Sequence, residues 1–166
     1  VGFLGVAQSD VDFPALEILT ELLVNGESSR LYRRLVIEEA LALDISGYLA
    51  PFSERGLVEF SIVMRSGVEA EDLLRVFQQE LDLLANEELS CEELEKAKNS
   101  LELSWLISLK TSEGLAEALG HYESNFEDFS LVFQVKDAWE KVEAKQCRQL
   151  AGNIFNLSRR VVVMTG

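Results

Sequence analysis

Asp12-Phe13-Pro14-Ala15-Leu16-Glu17-Ile18-Leu19, followed by Leu22-Leu23, Asn25-Gly26 and Ser28-Ser29-Arg30-Leu31-Tyr32-Arg33-Arg34-Leu35, is the stretch from which the fold can be read. From Phe13 onward Ala15, Leu16, Leu19, Leu22 and Leu23 recur at helical spacing, and Pro14 stands where a first turn tolerates it. Asn25-Gly26 predicts a left-handed exit, because glycine adopts positive φ without a Cβ clash. Ser28 or Ser29 is placed to cap a second helix through about Glu39, with Leu31 and Leu35 one turn apart on its buried side. Two short-linked helices with apolar faces need an apolar surface to lie on.

The flanking sequence supplies that surface as strands. Upstream, Val1-Gly2-Phe3-Leu4-Gly5-Val6-Ala7 is a short run, apolar on both faces, as expected of a strand buried inside a sheet. Downstream, Leu43 to Ala50 and Leu57 to Met64 read as extended segments, the second alternating Val58, Phe60, Ile62 and Met64 with Glu59, Ser61 and Val63. Pro51-Phe52-Ser53-Glu54-Arg55-Gly56 between them has the composition of a hairpin loop and is too short for a crossover helix. After Gly67, Glu69, Glu71 and Asp72 crowd a first turn, where the helix dipole favours anions, ahead of a Leu73, Phe77, Leu81 and Leu84 stripe. Ser90-Cys91-Glu92-Glu93 is a capping box opening a long helix with Leu94, Ala97, Leu101 and Trp105 on one side. Its pattern breaks near Thr111-Ser112-Glu113-Gly114 and resumes at Leu115, Leu119 and Tyr122. Helices around Phe129 to Lys141 and Glu143 to Phe155 and a closing strand from Arg160 to Met164 complete the chain. The order strand-helix-helix-strand-strand-helices-strand predicts an α+β fold with helices packed on one face of a mainly antiparallel sheet. No linker divides residues 1–166, which read as a single domain. A start without Met, inside an apolar run, points to a fragment of a longer multidomain chain.

Composition narrows function by exclusion. Fifteen Lys and Arg against 29 Asp and Glu leave a net charge of −14, a field that repels phosphate backbones and anionic lipid, so no nucleic-acid or membrane partner is expected. No apolar run approaches the roughly 20 residues of a membrane span. Cys91 and Cys147 lie far from each other and from any C-x-x-C pattern; Cys147, beside Leu150, Ala151 and Ile154, reads as a small buried hydrophobe. Two unpaired thiols favour a reducing cytoplasm and are compatible with a periplasm. A hydrolytic zinc needs several imidazoles or carboxylates converging on one point, whereas this chain has one histidine, His121, and neither H-E-x-x-H nor H-x-x-E-H. A serine or cysteine nucleophile would need that same histidine as its base, and no phosphate-cradling glycine loop is present. Adjacent carboxylates such as Glu38-Glu39, Glu87-Glu88 and Glu92-Glu93 diverge by about 100° on a helix and read as solvated faces. No catalytic residue and no metal ligand is expected in this chain.

The Asp12 to Leu35 constellation, followed by Leu41-Ala42, a hairpin with Gly56, and Cys91-Glu92-Glu93-Leu94-Glu95-Lys96-Ala97-Lys98, resembles the second, non-zinc domain of pitrilysin/insulinase-type zinc metallopeptidases, which include the mitochondrial processing peptidases. The resemblance covers nearly the whole chain. It implies an α+β domain in a molecule whose two halves close around a peptide chamber, with zinc held on an H-x-x-E-H helix of a partner domain or half that this chain does not cover. Many relatives contribute from this domain an Arg and, seven residues on, a Tyr that hold substrate. The matching positions here are Val36 and Leu43, which have no side-chain donor. The resemblance therefore implies an inactive copy.

Three functions are consistent with these features. The first is a non-catalytic domain of a zinc-dependent metallopeptidase that helps enclose peptide substrates and contacts the catalytic zinc-binding domain or subunit, with Arg30, Tyr32 and Arg34 as candidate substrate-binding residues. The second is a structural or assembly subunit that kept the fold and left proteolysis. The third is a free-standing small-ligand or regulatory domain.

Overall fold

The structure is a computed structural model and describes residues 1–52, 54–87 and 89–165. Ser53 of the hairpin loop and Glu88 of one carboxylate pair lie outside the described residues. Strand β1 (Gly2–Leu4) leads into helix α1 (Phe13–Val24), then α2 (Arg30–Tyr32), which continues as π-helical turns over Arg33–Glu38. Strands β2 (Ala42–Ala50) and β3 (Leu57–Met64) follow. The rest is helical: α3 (Ala70–Asn86), α4 (Cys91–Ser108), α5 (Ser112–Phe126), α6 (Val135–Glu140) and α7 (Ala144–Ile154), with short 3-10 turns at Phe129–Phe133 and Leu157–Arg159.

The sheet is antiparallel in the order β1-β3-β2, with Phe3 opposite Val58 and Gly47 opposite Phe60. Phe3, Ile45, Val58 and Phe60 point to the helices and are buried; on the other face Tyr48 and Val63 are more than half exposed. The helices thus cover one face, as the alternation in β3 predicts. Leu4, at 54% exposure, lies on the open face, so β1 is buried on one side only and not on both.

α1 is the centre of the core. Ala15, Leu16, Ile18, Leu19 and Leu23 have no exposed surface, because α4, α6 and α7 close over the helix from one side and β2 from the other. Phe3, Phe60, Phe77 and Phe155 form an edge-to-face cluster that joins the sheet to α3 and to the end of α7, with Phe3–Phe155 and Phe60–Phe77 centroids each 5.3 Å apart. The predicted capping box is present: Ser90 Oγ accepts from Glu93 N at 3.1 Å, and Glu93 Oε2 accepts from Ser90 N at 3.3 Å.

Other details also differ from the sequence reading: the helix expected around Phe129 to Lys141 is a 3-10 turn at Phe129–Phe133 followed by α6. The closing strand is reduced to one antiparallel bridge, Gly2 to Val161, with its two hydrogen bonds at 2.8 and 2.9 Å. Val163 and Met164 are exposed and belong to no strand. Ser29 occupies the N-cap position of α2, yet its hydroxyl makes no cap bond and is buried without a partner among the described residues; Ser28 Oγ instead accepts from Lys96 Nζ.

Candidate functional site

Arg30, the first residue of α2, reaches across to two helices. Its Nη2 lies 2.9 Å from Glu93 Oε1 on α4, its Nε donates to the same oxygen at 3.1 Å, and its Nη1 is 3.6 Å from Glu80 on α3. Glu93 is therefore both cap and counter-ion. Burial alone would raise its pKa, but the Arg30 guanidinium and the Ser90 donors outweigh that and leave it lowered. For Glu80 burial prevails over Arg30 and the pKa is raised. Arg34 pairs with Glu38 at 3.4 Å and Glu39 at 3.0 Å, while Tyr32 is half-buried against the core. Arg30, Tyr32 and Arg34 thus lie on one short segment, with both guanidinium groups engaged by carboxylates of this chain. Val36 is half-buried on the π-helical turns, and Leu43 is exposed at a bulge between Ala42 and Asp44.

A cleft of about 600 Å³ opens elsewhere, between α1, β2 and the α4–α5 pair. α1 approaches β2 closely at Gly47, where even a Cβ would lie 2.4 Å from Val24 Cγ2, so a side chain there would push the helix off the sheet. Glu17 projects from α1 into the cleft and retains partial solvent access, although protein atoms crowd round its carboxylate. Trp139 Nε1 donates to Glu17 Oε2 at 2.7 Å. Desolvation pushes the Glu17 carboxyl up to about 7, against the lowering effect of that hydrogen bond. Across the cleft Tyr122 is pushed up to about 12, by burial first and by the Glu17 charge second. The sequence shows Glu17 as one of two carboxylates, with Glu21, on a mostly apolar helix. It gives no sign of Trp139, 122 residues away.

His121 lines the same cleft. Its Nε2 is 3.0 Å from Gln8 Oε1 and its Nδ1 is 3.3 Å from Asn125 Nδ2, so both ring nitrogens are engaged. These partners suit the tautomer protonated at Nε2. No group of three or more His, Cys, Asp or Glu is arranged to hold a metal among the described residues. Cys91 and Cys147 are both free, and burial pushes the Cys147 thiol up to about 11, away from the thiolate a metal would need. The residues present do not fit a zinc ion.

The sequence profile described as the peptidase M16 inactive domain matches residues 1–101. The chain belongs to the peptidase M16 inactive-domain family. This M16 domain is 28% identical over 123 residues to an uncharacterized zinc protease of Streptomyces coelicolor, a match covering 74% of this chain and 27% of that protein. It is 27% identical over 96 residues to subunit 2 of the mitochondrial cytochrome b-c1 complex of Rattus norvegicus, covering 58% of this chain and 21% of the relative. The chain thus spans about a quarter of the length of the curated relatives it matches. Its fold is shared with a protease from Helicobacter pylori at a TM-score of 0.86 and 22% identity, over 95% of this chain and 38% of that one. Both the α+β architecture and the zinc-protease family implied by the Asp12 to Leu35 block are those of this M16 domain.

Proposed function

We propose that this chain is the non-catalytic domain of a zinc-dependent peptidase, helping to enclose peptide substrates and contacting a catalytic domain or subunit that holds the zinc. The observation that carries this reading is a donor set unfit for zinc in a member of a zinc-protease family. An exposed apolar stripe on α4, with Leu103, Leu106 and Ile107 each half exposed or more, is the kind of surface a neighbouring domain covers. Residues 1–166 are proposed as one domain of the longer protein. Arg30, Tyr32 and Arg34 are proposed as its substrate contacts. A peptide carboxylate would compete with Glu38 and Glu39 for Arg34, so substitution there should alter peptide affinity and leave zinc content unchanged.

The test is reconstitution. Full-length protein is expected to bind zinc and cleave peptides in a zinc-dependent way, and a version lacking residues 1–166 is expected to lose turnover while retaining the metal. Zinc-dependent hydrolysis by the 166-residue chain alone would overturn the reading. The match to a cytochrome b-c1 complex subunit favours one alternative, an assembly subunit without proteolysis. In that case the full-length protein would co-purify in a larger complex and show no peptide turnover with zinc.

A further inference from the structure

We propose that the cleft between α1, β2 and the α4–α5 pair is a binding site for an organic cation, an ammonium or guanidinium group carried on an apolar stem. The charge inside it has one sign. Glu17 and Glu21 on α1 and Glu117 on α5 line the cleft, and no lysine or arginine lines it among the described residues. Glu17 has one oxygen occupied by Trp139 Nε1, and its other oxygen, Oε1, has no hydrogen-bond donor among the described residues. That crowded carboxyl has no basic side chain facing it in the cleft, and a bound cation would draw it into its charged form.

The walls define the rest of the ligand. Trp105 of α4 and Tyr122 of α5 present aromatic surface, and Leu49 and Leu101 present aliphatic surface. A cation over aromatic faces gains from the ring quadrupole, and an apolar stem gains by leaving water along the aliphatic wall. Other ligands fit less well. An anion would meet three carboxylates. A neutral apolar molecule would cover Glu17 and leave its free oxygen, protonated or not, without a hydrogen-bond partner. The carboxylates come from two helices and do not converge as metal ligands do. A volume of about 600 Å³ is in the range of small-ligand sites and exceeds what one water-bridged carboxylate requires.

The same headgroup chemistry could arrive as a basic side chain of a peptide or as a free polyamine, and the test separates them. The 166-residue chain is titrated with acetyl-Leu-Arg-Leu-amide, with its citrulline counterpart, and with spermidine, by calorimetry and by tryptophan emission. Trp105 lines the cleft and Trp139 bonds its carboxylate, so both of the chain's tryptophans report on occupancy. The expected result is saturable binding with altered emission, weakened about tenfold or more when citrulline replaces arginine, since a lost charge-assisted bond is worth about that factor. Glu17→Gln keeps an acceptor for Trp139 and should weaken binding by a similar factor. Glu117→Gln alters an exposed position outside the core and should weaken binding several-fold. A tripeptide tighter than spermidine identifies a peptide side chain as the ligand; the reverse order identifies a free amine. Equal binding of the arginine and citrulline peptides, no saturable binding of any probe, or indifference to both substitutions overturns the proposal. The proposed role beside a zinc domain does not depend on this cleft, and reconstituted peptide turnover tests that role separately.

Discussion

Glu17 couples the cleft to the stability of the fold. Its carboxyl titrates near 7 when folded, against an ordinary value of 4.5, because burial disfavours the charged form. Between those two pH values the folded chain binds more protons at this site than the unfolded chain, so stability falls as pH rises through the window and is unaffected by Glu17 below it. At about 1.4 kcal/mol per pKa unit, the loss is roughly 3 kcal/mol by pH 8. Glu17→Gln should remove that slope and be the more stable protein at pH 8 and not at pH 4.5, measured by urea unfolding at both; parallel slopes for the two proteins would refute it. Ser29 gives a second test at this scale. Replacing a cap serine by alanine ordinarily costs about 1 kcal/mol, but Ser29 Oγ is buried without a partner among the described residues, so Ser29→Ala is expected to be neutral or stabilising by up to about 1 kcal/mol. Thermal and urea midpoints that fall together would show that the hydroxyl has a partner in solution. Neither environment can be read from the sequence. The caps and the acidic positions Glu17 and Glu21 on α1 are visible there, whereas burial and partnership depend on residues tens of positions away.

Between elements, Arg30 acts as a clasp. One guanidinium holds α2 to α3 through Glu80 and to α4 through Glu93, and both Arg30 and Glu80 side chains are less than a fifth exposed, at 19% and 11%. Arg30→Ala would leave Glu80 buried and unpaired, and a loss of about 2–3 kcal/mol in urea unfolding is expected; Arg30→Met combined with Glu80→Leu should recover much of it. A loss below about half a kcal/mol would mean that the pair is dispensable. Much of the element order was legible in the sequence. Helical stripes located α1, α3 and α7, the Ser90–Glu93 box fixed the start of α4, and alternation in Val58, Phe60 and Ile62 oriented β3. The π-helical turns over Arg33–Glu38 were not legible, because six residues are too few to tell an i+5 repeat from an i+4 one. The closing strand differs for another reason: Val161-Val162-Val163 has β propensity, but propensity does not supply a partner, and the pairing is confined to Val161 opposite Gly2.

At the scale of the whole molecule the net charge of −14 opposes compaction. Screening should therefore stabilise the fold: raising sodium chloride from about 0.05 M to about 0.5 M is expected to raise Tm by about 2–4 °C, the response to roughly 1 kcal/mol in a chain of this size. The exposed ion pairs lost to screening, such as Arg33–Glu38 and Arg75–Asp72, are each worth little and do not reverse the sign. A Tm that falls with salt would mean that ion pairs outweigh self-repulsion. Family and architecture were legible at this scale because glycine, cap and stripe positions follow chain order. The cleft was not, since it is formed by α1, β2, α4 and α5, which are brought together only by folding. The single rung between Gly2 and Val161 has a mechanical consequence. Its two hydrogen bonds are antiparallel, so tension applied through the flanking backbone peels them apart in sequence and does not shear them together. The domain should yield first at that seam, at low force, while the Phe3, Phe60, Phe77 and Phe155 cluster stays closed behind it.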